Sequence, residues 1–208
     1  ADQVFKRFPE LDKGWEKNGG KRVWADGSGT FQGFLKGTWN SAEDFKGKVG
    51  RAMGGGRAVW FEKLGLKPVF MAITEVYEAM ERGALGGFEN TLNLSNDLKL
   101  YEVINTLVMV NSGTVMSSLT FMNLNKFNSL PPDLQKVILD TGVDWSENSL
   151  GRALAEREKA IAQEWKDKRG IKVVTPKPDD LAFMKKTARD AALDLSKKQD
   201  TRMGTPGK

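Results

Sequence analysis

The chain has 208 residues, enough for one large or two small domains with a real core, and it contains neither cysteine nor histidine. Disulfides, thiolate or imidazole metal sites and histidine-based nucleophilic triads are therefore excluded, while carboxylate chemistry is not. The net charge of +5 comes from 32 Lys and Arg interspersed with 27 Asp and Glu; no basic arm suits nucleic acid, and no apolar run is long enough to span a membrane.

Residues 2–17 have helical spacing, with Val4, Phe5, Phe8, Leu11 and Trp15 on one face and Gly19-Gly20 as the stop. A short strand is expected over 21–26. The glycine- and aromatic-rich stretch "GSGTFQGFLKGTWNS" that follows reads as a loop. "FKGKVGRA" (45–52) suits a strand, and 54–65 a helix opened and closed by glycine. A strand over 67–72, a helix over 74–82 with Thr74 as its cap, a strand over 84–89 and a helix over 91–100 come next. Two more strands are expected at 105–111 and 117–125. The alternation predicts an α/β layer structure with a largely parallel sheet.

Beyond residue 130 the pattern changes. Pro131-Pro132-Asp133 starts a helix whose apolar positions run from Leu134 and Val137 through Trp145 to Ile161 and Trp165, ending on a basic turn and Gly170. At ~1.5 Å per residue it would be about 55 Å long, which suits a helix that leaves one lobe and runs along another. Its first half carries the denser apolar stripe, so Trp145 is expected to be more buried than the 154–161 segment. A strand over 171–176 and a helix over 178–196 complete the chain, with 197–208 expected to lack structure.

Chemistry-bearing motifs are sparse. "GSGTFQG" has the glycines of a dinucleotide loop at the wrong spacing, with no helix opening behind it. "RAMGGGRAVW" (51–60) is better placed: a strand leads into a helix whose free N–H groups could face an anion, with a flexible helix entry as the plain alternative, but the lysine and hydroxyl of a P-loop are missing. Arg51 closes that strand and offers a planar, bidentate partner for a carboxylate. Glu75, Glu78, Glu81 and Glu89 offer a carboxylate pair in principle but read chiefly as solvated helix charges, and Trp24, Phe31, Phe34 and Trp39 as packing residues or an aromatic platform.

The order "DFKGKVGR", "LGLKPVFMAITEVYEAMERGALGGFEN", "KLYEV", "FNSLPPDLQKVI" resembles the DctP-type solute-binding proteins of tripartite ATP-independent periplasmic (TRAP) transporters, over roughly residues 20–190. The resemblance implies an α/β periplasmic-binding-protein-like fold of class II. Two lobes would close on a small organic acid, joined by a long lobe-spanning helix. It implies no catalysis, cofactor, metal or nucleic acid. It also implies a periplasmic location and a chain not itself embedded in the membrane, with the transporter's membrane subunits as partners.

In the family pattern the carboxylate-clamping arginine falls at Arg51 and the ligand-contacting asparagine at Asn90. The ring that often stacks on ligand falls at Ile73, an upstream arginine of some members near Phe31, and an aspartate at Gly86. Phe88 and Asn111 complete the candidate ligand-contacting set. These departures point to a less charged pocket, suited to a monocarboxylate or an aromatic or branched acid more than to a sialic-type sugar.

By the same resemblance, 21–116 with 157–196 form the second ligand-binding lobe. Residues 117–156 are a returning segment of the first lobe, and 1–20 a leading helix. Most of the first lobe is expected to be missing, and the start on Ala rather than Met fits a processed product or a piece of a longer protein. The competing readings are an α/β enzyme binding a phosphorylated ligand at Gly54–Gly56, and a nucleic-acid module resting only on an isoelectric point of about 9.3.

Overall fold

The structure, a computed structural model, describes residues 2–113 and 117–203. In chain order its elements are α1 (Asp2–Arg7), α2 (Glu10–Glu16), β1 (Gly20–Gly27), β2 (Phe31–Leu35), β3 (Val49–Arg51), α3 (Gly55–Lys63) and β4 (Lys67–Val69). There follow α4 (Val76–Glu81), β5 (Gly87–Thr91), α5 (Leu92–Asp97), β6 (Thr106–Val108), β7 (Ser117–Asn123) and α6 (Leu124–Asn128). The chain ends with α7 (Pro132–Asp144), α8 (Gly151–Lys168), β8 (Lys172–Val174) and α9 (Pro178–Met203). It divides into two compact units, Ala1–Thr30 with Gly113–Ala160 and Phe31–Ser112 with Ile161–Lys208. The strand expected at 21–26 thus belongs to the first unit, where it pairs with β7, and not to the expected 21–116 lobe. Residues 114–116, at the end of that expected lobe, lie outside the described residues.

In the first unit β1 and β7 form an antiparallel pair running from Gly20↔Asn123 to Gly27↔Ser117, with an irregularity between Arg22 and Trp24. The single leading helix expected over 2–17 is two helices, because Pro9 has no N–H to continue the first. Arg22 reaches back from β1 to α2 and donates two parallel hydrogen bonds to Asp12, at 2.8 and 2.9 Å. Trp15 of α2 lies against Phe121 of β7 with ring centroids 4.8 Å apart.

The long helix is continuous from Pro132 to Lys168, but it widens into a π-turn over Trp145–Leu150, between Gly142 and Gly151. Gly142 has a packing role: a Cβ there would sit 2.5 Å from the Val23 carbonyl oxygen and 2.9 Å from the Trp24 Cβ. α7 therefore presses its backbone directly onto β1. Gly142→Ala is expected to cost about 1–3 kcal/mol as the helix is pushed off the strand, measured by urea unfolding. The burial order along the helix is the reverse of that expected. Trp145 is 48% exposed, whereas Ile161 is buried and Trp165 fully so. An apolar stripe is buried only where another element covers it, and stripe density alone does not report that.

In the second unit the described strands form a six-stranded sheet in the order β4-β3-β5-β2-β6-β8. The β4-β3, β3-β5 and β6-β8 pairs are parallel, and β2 runs antiparallel to both β5 and β6. Phe34, Phe88 and Leu107 turn to one face, packing with Val76 and Met80 of α4 and Ile161 and Trp165 of α8. Leu35 and Val108 turn to the other, with Trp60 and Phe61 of α3 and Met184 and Ala191 of α9. With helices on both faces, strands need no polar alternation.

That is why β2, central in the sheet, reads as a loop from its sequence: "FQGFL" has large apolar residues on both faces, carries a glycine and lacks the two-residue period. α4 begins later than expected, after a 3₁₀ turn over Ile73–Glu75; Glu75 closes that turn by accepting from the Ala72 N–H at 2.7 Å, so Thr74 is not its cap. The stretch from 197, expected to lack structure, continues α9 to Met203, and 204–208 lie outside the described residues.

Candidate functional site

β3, β4 and β5 run parallel and end at one edge of the second unit's sheet, where open α/β sheets place their ligand-binding residues. Arg51 is the last residue of β3, in register with Val69 of β4 and Phe88 of β5. Directly opposed residues share a face, so Arg51 and Phe88 lie on the same face, and Asn90, two residues on, lies there too. Gln32 of β2 is in register with Asn90 and continues the row.

The polar groups in this row are buried yet incompletely satisfied. Arg51 is 6% exposed. Its Nε donates to the Met71 carbonyl oxygen at 3.1 Å, but its Nη1 is buried without a protein partner. Among the described residues no carboxylate pairs with Arg51, and burial pulls its pKa below the ordinary arginine value. Asn90 is 2% exposed, and its Nδ2 is likewise without a partner. Buried donors are nearly always paired, and leaving one unpaired costs about 1–3 kcal/mol. Two such donors lie on one face of one sheet edge, while Trp39, Asn93 and Ser95 elsewhere in the second unit also carry buried polar atoms without a partner among the described residues.

The other candidates distribute as follows. Ile73 is half-buried, two residues beyond the carbonyl that Arg51 holds, and packs against the core cluster of Val76 and Phe88. Phe88 is buried and stacked on Phe34, with centroids 4.8 Å apart and planes 8° from parallel. Asn111 joins the row through Gln32: Gln32 Nε2 donates to Asn111 Oδ1 at 2.8 Å, and the Asn111 N–H donates to Gln32 Oε1 at 3.0 Å. These bonds hold Asn111 at a left-handed φ of 48°.

Phe31 starts β2 on the opposite face, under the Arg57 guanidinium at 5.7 Å from its ring centroid. That opposite face carries an arrangement that sequence reasoning missed. Glu89 is buried there, with Arg57 Nε 3.2 Å from its Oε2 and the Ser112 hydroxyl donating to its Oε1. Burial raises the Glu89 pKa above the ordinary carboxylate value, and Arg57 and then Ser112 draw it partly back. The available signal was a lone acid inside the apolar, glycine-rich run "ALGGFENT". Gly54–Gly56, the expected phosphate-binding entry of α3, is exposed, and Arg57 one residue on is committed to Glu89.

Among the described residues no group of carboxylates gathers to hold a metal ion, and no helix is long and apolar enough to cross a membrane. The model of the bacterial extracellular solute-binding proteins, family 7 (DctP), matches residues 6–199. The chain belongs to this DctP family. A solute-binding protein of Sulfitobacter sp. NAS-14.1 is 34% identical over 154 residues, 74% of this chain and 46% of that protein. The sialic acid-binding periplasmic protein of Vibrio cholerae is 28% identical over 168 residues, 80% of this chain and 49% of that one.

A crystal structure of a TRAP periplasmic solute-binding protein from Sulfitobacter sp. NAS-14.1, with bound α-D-taluronate, superposes with a TM-score of 0.68 at 29% identity, covering 86% of this chain and 59% of that one. The chain thus spans about half the length of these two curated relatives. The two-lobed α/β fold expected for the family agrees with these neighbours.

Asn90 offers a direct test of site against scaffold. Asn90→Leu removes an orphaned buried donor and leaves a side chain of similar reach. The variant is expected to melt at or above the temperature of the parent chain, because no protein hydrogen bond to Nδ2 is lost, while its affinity for acids falls. A fall in melting temperature with unchanged affinity would make Asn90 a scaffold residue.

Proposed function

We propose that the chain is the acid-recognising part of a TRAP-transporter receptor. It captures a small organic acid in the periplasm and passes it to the transporter's membrane subunits, catalysing nothing itself. Arg51 is the carboxylate partner in this reading, with Asn90 beside it as a second donor.

The observation that carries the reading is the Arg51 guanidinium, a buried cation with no carboxylate and an unpartnered Nη1 among the described residues, on the same face and edge as the unpartnered Asn90 Nδ2. A guanidinium fork is matched in shape and charge by a carboxylate. The related protein of Vibrio cholerae binds sialic acid, and the Sulfitobacter structure holds taluronate, and both compounds are carboxylates. Ile73 and Asn111 flank the same edge, while Phe88 supports it from the core and Phe31 from the far face.

The test is a titration of the isotope-labelled 208-residue chain with sialic acid, taluronate and a neutral polyol, followed through its arginine and side-chain amide resonances. The acids are expected to shift the Arg51 and Asn90 signals and the polyol to leave them in place. If neither acid moves them at millimolar concentration, the reading is wrong.

A further inference from the structure

The proposed site also discriminates by charge count, and this rests on the reading of Arg51 and Asn90 as ligand contacts. One buried arginine, Arg51, and one half-buried arginine, Arg57, lie in this part of the second unit, and they differ in one respect. Arg57 lies over the Trp60 ring at 5.0 Å and the Phe31 ring at 5.7 Å, and its charge is already met by Glu89 on the far face of the sheet. Arg51, on the near face, is met by no carboxylate among the described residues. One buried positive charge therefore remains to be neutralised.

The positions that continue from Arg51 across the sheet are all neutral. Asn90 is one strand away, about 4.8 Å across and two residues further along. Gln32 follows on the next strand, and Asn111 is bonded to Gln32. No other Lys or Arg lies in β2, β3 or β5. We propose that this edge takes a monocarboxylate whose chain bears a neutral oxygen acceptor, a hydroxyl or carbonyl, within about one strand spacing of the carboxylate, and that it discriminates against dicarboxylates. The carboxylate answers Arg51 Nη1, and the neutral oxygen accepts from Asn90 Nδ2. A second carboxylate along this row would meet the Asn90, Gln32 and Asn111 amides and no cation, and a buried charge without a countercharge is strongly disfavoured.

Three six-carbon probes isolate the two halves of the claim: gluconate, with one carboxylate and several hydroxyls; glucarate, with two carboxylates; and hexanoate, with one carboxylate and no hydroxyl. Dissociation constants are read at pH 7 from the side-chain amide and arginine resonances of the 208-residue chain. Gluconate is expected to bind at least tenfold more tightly than either glucarate or hexanoate. In Asn90→Leu the gluconate preference over hexanoate should fall at least tenfold.

Glucarate binding as tightly as gluconate, or more so, overturns the charge-count inference and leaves the acid-receptor reading standing. Hexanoate binding as tightly as gluconate in the parent chain overturns the neutral-oxygen half, and that comparison needs no variant to fold. If none of the three acids binds, both this inference and the reading beneath it fall.

Discussion

Replacing Arg51 with alanine is expected to weaken acid binding by well over tenfold and to change stability far less. The expectation follows from what the guanidinium does in the unliganded chain. Among the described residues its only side-chain hydrogen bond is the one from Nε to the Met71 carbonyl, and its Nη1 is buried without a partner. Its burial is thus a cost borne in the free protein and recovered when an anion arrives. Truncating one partner of a buried charge pair typically costs about 2–5 kcal/mol, because the other charge is left desolvated and unpaired. At about 1.4 kcal/mol per decade that is a loss of roughly thirtyfold or more.

Arg51→Lys should also weaken binding, since a point charge cannot fork across two carboxylate oxygens and would abandon the Met71 carbonyl. Calorimetric or resonance titrations of the two variants alongside their melting temperatures make the test. A loss below tenfold in Arg51→Ala would remove Arg51 from the site.

How far these residues could be read in advance depended on where their signals lay. Arg51 ends β3 beside Gly50 and Asn90 stands one residue from the end of β5, both within motifs that resemble a known family, and the structure puts both on one face of one sheet edge. Gln32, which ties Asn111 into the same row, was hidden because β2 has no period-two pattern once helices cover both of its faces. Glu89 was passed over because composition cannot tell a solvated acid from a buried one. The distinction comes from Arg57, 32 positions earlier, and Ser112, 23 positions later, and only the fold brings those two beside it. At Trp145 the helical period was right but the covering surface was not readable. Local pattern thus fixes which face of an element is apolar, while non-local pairing decides what that face meets.

The far-face cluster provides the second large effect. Arg57→Met is expected to destabilise the second unit by about 3–5 kcal/mol at pH 8, because Glu89 would be left buried with its countercharge gone. The pH dependence follows from linkage. The folded Glu89 pKa lies above its ordinary value of 4.5, with burial as the largest cause and Arg57 opposing it. Between the unfolded and folded pKa values the native state therefore holds more of this proton than the unfolded state. Stability from this group is complete below the unfolded pKa and declines as pH rises through the folded one.

Removing Arg57 takes away the main influence opposing burial, so the folded pKa climbs further and the decline extends to higher pH. The loss in Arg57→Met should accordingly be smallest near pH 4.5 and grow towards pH 8. Adding Glu89→Gln removes the titrating group, so the double variant should lose this slope and be more stable than Arg57→Met at pH 8, although the Ser112 hydroxyl then faces an amide oxygen in place of a carboxylate. Urea unfolding of the parent chain, the single and the double variant at pH 4.5, 6 and 8 resolves the pattern. A single variant as stable as the parent at pH 8, or a double variant no better than the single, would show that the Arg57–Glu89 pair does not carry the charge balance assigned to it.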